Sequence, residues 1–188
     1  GICGGLQMLG RTISDPEGVE AAGVTHAEVF HRSTVIVNKP LVSYGRNNLD
    51  FGKGFYTTNL QMQAEKWVQR FIDLGKSAYV NIYLLNEQYS SSKYRYKLFT
   101  EYNEEWLDFI LRCRTGKKDY LQYDIIEGGI ANDKVFNTVE LYFSHLIDKD
   151  IALQRLKYEK PNNQICFVDQ RIMEEVLTFE DSYEIKRS

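Results

Sequence analysis

Between a β-like run and the clearest helical stretch of the chain stands Asp50-Phe51-Gly52-Lys53-Gly54-Phe55-Tyr56-Thr57-Thr58. The two glycines let the backbone turn, or approach another surface, without a Cβ in the way. The aromatic and β-branched residues behind them favour an extended, half-buried segment. On the residues alone the stretch is either a turn that delivers the chain into a strand or a wall of a binding site. After it, Leu60, Ala64, Trp67, Val68, Phe71 and Ile72 recur at helical spacing, which predicts an amphipathic helix. Asn59 is placed to cap its start and Gly75 to end it.

The remainder mixes short strand patterns with helix patterns in no regular order. Strands are expected over 29–37 (with a break near Arg32), 78–85, 93–99, 120–127 and 164–168. Helices are expected over 104–112, 138–146, 150–157 and 170–177, the last capped by Asp169. The steady strand–helix–strand rhythm of a doubly wound sheet is missing, so the fold class is α+β. Residues 1–28 are glycine-rich at first and low in aromatics, and they read as a separate N-terminal segment. The domain itself is expected to occupy 29–188.

Composition excludes several function classes. A net charge of -3 supplies no overall basic field for nucleic acid. No apolar run reaches the ~20 residues of a membrane span, and no charged leader runs into an apolar core. Cys3, Cys113 and Cys166 are too far apart for a metal motif and odd in number for a disulfide framework. A reducing, cytoplasmic setting with no membrane partner is the expectation. Thirteen tyrosines suit half-buried strands and cleft walls.

Two resemblances add to this reading. Gly1-Ile2-Cys3-Gly4-Gly5-Leu6-Gln7 and the RTISDPEGVE after it resemble the nucleophile elbow of cobyric acid synthase, a class I glutamine amidotransferase. The likeness covers about 20 residues. No strand precedes Cys3 and no histidine base is set for it, so glutaminase activity is not expected. Residues from about 29 to 179 resemble an uncharacterised bacterial domain family assigned to the ADP-ribosyltransferase superfamily. Four elements carry this in order: His31-Arg32-Ser33-Thr34, then Asp50 to Thr58, then Gln63-Ala64-Glu65-Lys66-Trp67, then Gln164-Ile165-Cys166-Phe167. The segment Phe-Gly-Lys-Gly-Phe-Tyr is similar to the Phe-Gly-Lys-Gly-Ile-Tyr of the poly(ADP-ribose) polymerases.

The resemblance implies a split mixed or antiparallel sheet with flanking helices, NAD as substrate, and a protein or nucleic-acid acceptor, in the setting of a bacterial toxin or defence effector. It implies Tyr56 and Trp67 as two walls of a nicotinamide slot, with Gly54 allowing close approach. His31 would bond the adenine-side ribose and the backbone of Arg32 the nicotinamide amide, with Ser33 beside it. Gln164 stands where active relatives carry a catalytic glutamate. An amide can bond the ribose but supplies no negative charge. Asp133 is the candidate replacement carboxylate among Asp124, Glu127, Asn132 and Asp133, for which a solvated turn is the alternative. Trp67 as plain core, His31 as a structural histidine and Cys166 as a small hydrophobe remain the structural alternatives.

Overall fold

A strand flanked on both sides has both backbone edges bonded. In the computed structural model, which describes residues 25–130, 133–157, 159 and 162–186, three strands are flanked in this way. Strand β3 (Tyr79–Asn86) lies between β1 (His26–Ser33) and β7 (Leu177–Glu184), antiparallel to both. Strand β6 (Gln164–Phe167) lies between β2 (Phe55–Thr57) and β5 (Ile125–Gly128), again antiparallel to both. Every residue of β6 is buried. Strand β4 (Tyr96–Phe99) pairs parallel with β5. Parallel neighbours need a crossover, and α2 (Glu104–Arg114) lies between them in the chain.

The two sheets meet at one isolated antiparallel bridge, Phe30 with Thr58. Side-chain alternation then sorts residues into separate cores. Val29, Tyr83 and Leu85 of the first sheet pack with Phe55, Ile125, Ile165 and Phe167 of the second, joined by Met173 and Val176 of α5 (Gln170–Val176). On the other face of the second sheet, Ile126 and Cys166 pack with Phe51 and with Trp106, Leu107 and Ile110 of α2. Helices α3 (Asp133–Phe143) and α4 (Lys149–Leu156) close that core with Val135, Val139, Ala152 and Leu156. On the other face of the first sheet, Phe30 and Val80 meet Ala64, Val68 and Ile72 of α1 (Gln61–Asp73).

The α+β class is therefore observed. Several boundaries moved. Strand β1 starts at His26, inside the segment expected to precede the domain, and residues 1–24 lie outside the described residues. It stops at Ser33 because the next residues leave the ladder: the Asn81 side chain accepts the Val37 N–H at 2.7 Å. Helix α1 is not capped by Asn59. Leu60 occupies the cap position, and the Thr58 hydroxyl takes the Leu60 N–H at 3.1 Å. Residues 120–122, expected to begin a strand, belong instead to a 3-10 turn (Asp119–Gln122). Strand β7 was not expected at all. Asp169 caps α5 as expected, accepting from Arg171 and Ile172.

Candidate functional site

The Asp50–Gly54 turn is held against β6 from several directions. Asp50 pairs with Arg114 at 2.7 Å, each side chain about 15% exposed. Phe51 is fully buried in the α2 core. Gly52 has φ +75, and a Cβ there would lie 2.1 Å from the Tyr120 ring. A Cβ on Gly54 would lie 2.3 Å from Cys166 Sγ and 2.7 Å from the Phe167 carbonyl. Only glycine allows β2 to run this close to β6. Tyr56 closes the turn on itself: its hydroxyl donates to the Gly52 carbonyl (2.7 Å) and accepts the Phe51 N–H (3.1 Å). Burial, reinforced by Cys166 and Asp50, pushes that phenol well above its usual range, so it stays protonated as a brace. The stretch is thus a turn, and Tyr56 is built into it.

On its other side β2 is nearly free. The Phe30 N–H and C=O both bond Thr58, and the ladder goes no further. Strand alternation turns the Arg32 N–H and C=O the same way as those of Phe30, toward β2. A continuing ladder would give the Tyr56 carbonyl to Arg32. Instead the His31 ring takes it, with Nδ1 2.7 Å from the oxygen. Burial lowers the His31 pKa to about 4, against the partial support of that bond. The ring is therefore neutral at neutral pH, Nδ1 carries the proton, and Nε2 is left as an acceptor. His31 also stacks on Phe55, centroids 4.3 Å apart.

The other expected residues are placed as follows. Trp67 is half-buried on α1, and the Arg32 guanidinium lies 5.0 Å from its ring centroid. It is not plain core, but the face expected to stack on a ligand holds a cation here. Ser33 Oγ accepts the Val35 N–H at 3.3 Å. Gln164 is 6% exposed, and its amide reaches the Gly129 carbonyl only at 3.5 Å. Cys166 lies in the α2 core as a small hydrophobe, its thiol pushed up by burial. Asp133 opens α3, and its side chain falls outside the described residues. Two cavities, of about 550 and 320 Å³, are lined by none of these residues.

The carboxylates of Asp124, just before β5, and Glu127, within it, correct the expectation of a solvated turn. Asp124 is buried and accepts from Arg95 Nε at 3.0 Å and Arg95 N at 2.8 Å. Glu127 is 8% exposed and accepts three hydrogen bonds: Tyr89 at 2.6 Å, Tyr96 at 2.7 Å and Asn163 Nδ2 at 2.7 Å. The Asn163 carbonyl in turn accepts from Gln63 Nε2 (2.7 Å), which also reaches Thr58 Oγ1 (2.9 Å). Glu127, Asn163 and Gln63 thus tie β5, the start of β6 and α1 together beside Gln164. Sequence reasoning set Glu127 in a solvated turn and preferred Asp133 to it as the replacement carboxylate. Its donors come from positions 31 to 38 residues away, a distance no local pattern reports. Among the described residues no group of three or more His, Cys, Asp or Glu is arranged to hold a metal, and no helix is long and apolar enough to cross a membrane.

Residues 27–179 match the model of a protein family of unknown function, DUF3990. The chain belongs to this family. The match begins one residue after the start of β1 and ends inside β7, so it takes in every strand between them whole and the first three residues of β7. A short likeness concerns cobyric acid synthase from Caulobacter sp. (strain K31): 82% identity over 22 residues, which is 12% of this chain and 4% of that protein. No solved structure matches the chain.

Proposed function

We propose that this DUF3990 domain binds NAD at the β1–β2 seam as an ADP-ribosyltransferase-like domain, transferring ADP-ribose to a protein or nucleic-acid acceptor. The observation that carries the reading is the seam itself. After one bridge the ladder stops, and the N–H and C=O of one residue, Arg32, point into it. A primary carboxamide such as that of nicotinamide offers the complementary donor and acceptor. The neutral His31 ring leaves Nε2 to accept from a ribose hydroxyl. Tyr56, Trp67 and Gln164, named for this role by the resemblance, come from β2, α1 and β6, the elements around that seam.

In such a transfer the bond between nicotinamide and ribose breaks, positive charge builds at the ribose carbon, and a nucleophile of the acceptor takes its place. Gln164 can hold the ribose hydroxyls, yet it lacks the charge that would favour that carbon. Its uncharged, buried amide therefore favours a second reading: a module that binds NAD or a related nucleotide without turning it over. A bacterial toxin or defence effector working in the cytoplasm is the setting that goes with the first reading.

The experiment is incubation with NAD, with free nicotinamide followed by chromatography and binding by calorimetry. Release above the buffer rate is expected for the enzyme, and binding without release for the module. Gln164→Glu is expected to raise turnover and Gln164→Ala to lower it. Tyr56→Ala and Trp67→Ala should each weaken NAD by about 0.5–2 kcal/mol while the domain stays folded. No binding and no release would reject both readings.

A further inference from the structure

Four arginines of the described domain, Arg95, Arg112, Arg114 and Arg171, each bond a carboxylate. Arg32, Arg46, Arg70 and Arg155 have no salt bridge among the described residues, and the first three lie together. Arg32 leaves β1 on the face that meets α1 and lies over Trp67 at 5.0 Å. Arg70 follows Trp67 by three residues on α1, which puts it on the same side of that helix. Arg46 comes from the other direction: its neighbour Gly45 is pressed so close to the Asp50–Gly54 turn that a Cβ there would lie 2.4 Å from the Gly54 carbonyl. The charges of Arg46 and Arg70 are near enough to Arg32 to lower its pKa, after the larger effect of burial. The acids of α1 bond neutral partners, Glu65 with Tyr183 and Gln61 and Asp73 with Gln69, and neither makes a salt bridge to these arginines.

Two like charges beside a half-buried guanidinium raise the free energy of the empty protein, and no salt bridge among the described residues relieves it. Guanidinium groups bond phosphate oxygens in pairs and lose less hydration than ammonium groups on doing so. We infer that Arg32, Arg46 and Arg70, beside Trp67, form an anion site for a diphosphate-bearing nucleotide. The cluster is supplied from two sides, β1 with α1 and the loop at 46, which suits two linked phosphoryl groups better than one. Assigning this diphosphate to NAD rests on the reading proposed above; the anion site itself does not. Phosphate drawing Arg32 toward Arg46 would also lift the guanidinium from the Trp67 ring and free that face for stacking.

Inorganic pyrophosphate is the direct probe, titrated against the whole chain with tryptophan fluorescence as readout. Trp106 is fully buried in the α2 core, so the responding fluorophore is Trp67. A saturable change is expected, abolished in Trp67→Phe, with inorganic phosphate binding more weakly. Arg46 and Arg70 are exposed, and the Arg46→Gln/Arg70→Gln variant should keep the wild-type circular dichroism. Pyrophosphate should bind this variant at least tenfold more weakly, roughly what one lost charge-assisted bond contributes. Unchanged affinity in the double variant, or no response in the wild type, overturns the site. If the double variant loses pyrophosphate but keeps full NAD affinity, the assignment to NAD is overturned and the anion site stands. Pyrophosphate binding by a protein that does not bind NAD rejects the earlier reading alone. A single-stranded oligonucleotide that binds more tightly than pyrophosphate through the same arginines would overturn the nucleotide assignment in favour of nucleic acid.

Discussion

Strand β2 has one closed edge and one open edge. Toward β6 it makes three consecutive pairs, and Gly54 just before it touches Cys166 and the Phe167 carbonyl. Toward β1 it makes one bridge, and then a histidine side chain takes the carbonyl that a backbone N–H would otherwise bond. The difference lies in what fills the space. A missing Cβ draws two backbones together, whereas a ring placed between them holds them apart. Rigidity on the first side is what allows the second to stay open: with Tyr56 bonded to the turn and the turn pinned by Asp50 and Arg114, β2 has no freedom to close on β1.

The largest effect should follow from Gly54→Ala. The new methyl would overlap Cys166 Sγ and, less forgivingly, the Phe167 carbonyl. A loss of about 3 kcal/mol in urea unfolding is expected, and a loss below about 1 kcal/mol would mean that the closed edge parts easily. Glu127→Ala should cost about 2–3 kcal/mol, because two phenols and the Asn163 amide lose a charged acceptor. Glu127→Gln should recover part of that loss, which separates the lost acceptor from lost packing.

Next comes the open edge. His31 titrates near 4 in the folded state and near 6.5 when unfolded. Between those values the unfolded chain binds the extra proton, so folding stability should fall as pH drops from about 6.5 to about 4 and level off below. Each pKa unit corresponds to ~1.4 kcal/mol; with the ring only partly shielded from water, a total of about 2 kcal/mol is expected. His31→Gln should remove this component of the pH dependence, and an unchanged profile would show that the imidazole is not what separates β1 from β2. Tyr56→Phe, which keeps the ring and loses the brace to Gly52, should cost about 1 kcal/mol. The smallest effect is expected from Asn59→Ala, within about 0.5 kcal/mol, because Thr58 and not Asn59 serves the first turn of α1. A larger loss would return the cap to Asn59.

Much of the fold could be read from periodicity. The face of α1 that carries Ala64, Val68 and Ile72 is buried, strand β3 lies within a residue of its expected span, and Asp169 caps α5. These features depend on neighbours three or four residues apart, or on alternation along one strand, and such information is local. The α+β class followed from the order of those elements. The Asp50–Thr58 stretch was recognisable as special, because a glycine pair beside aromatics is rare enough to stand out.

What the tertiary structure alone decided is which distant segments supply the missing halves of polar pairs. Strand β7 has a single buried position, Leu177, and it is a strand because the edge of β3 offers it a ladder. Glu127 is an ordinary acid before Gly128-Gly129 in the sequence; Tyr89, Tyr96 and Asn163 make it a buried, fully bonded one. His31 shows in the sequence as a histidine in a strand, and only the isolated bridge makes its ring the wedge at the β1–β2 seam. The physical reason is the same in each case. Burying a polar group costs free energy until a partner meets it, and that partner is found by the fold, not by the neighbouring residues.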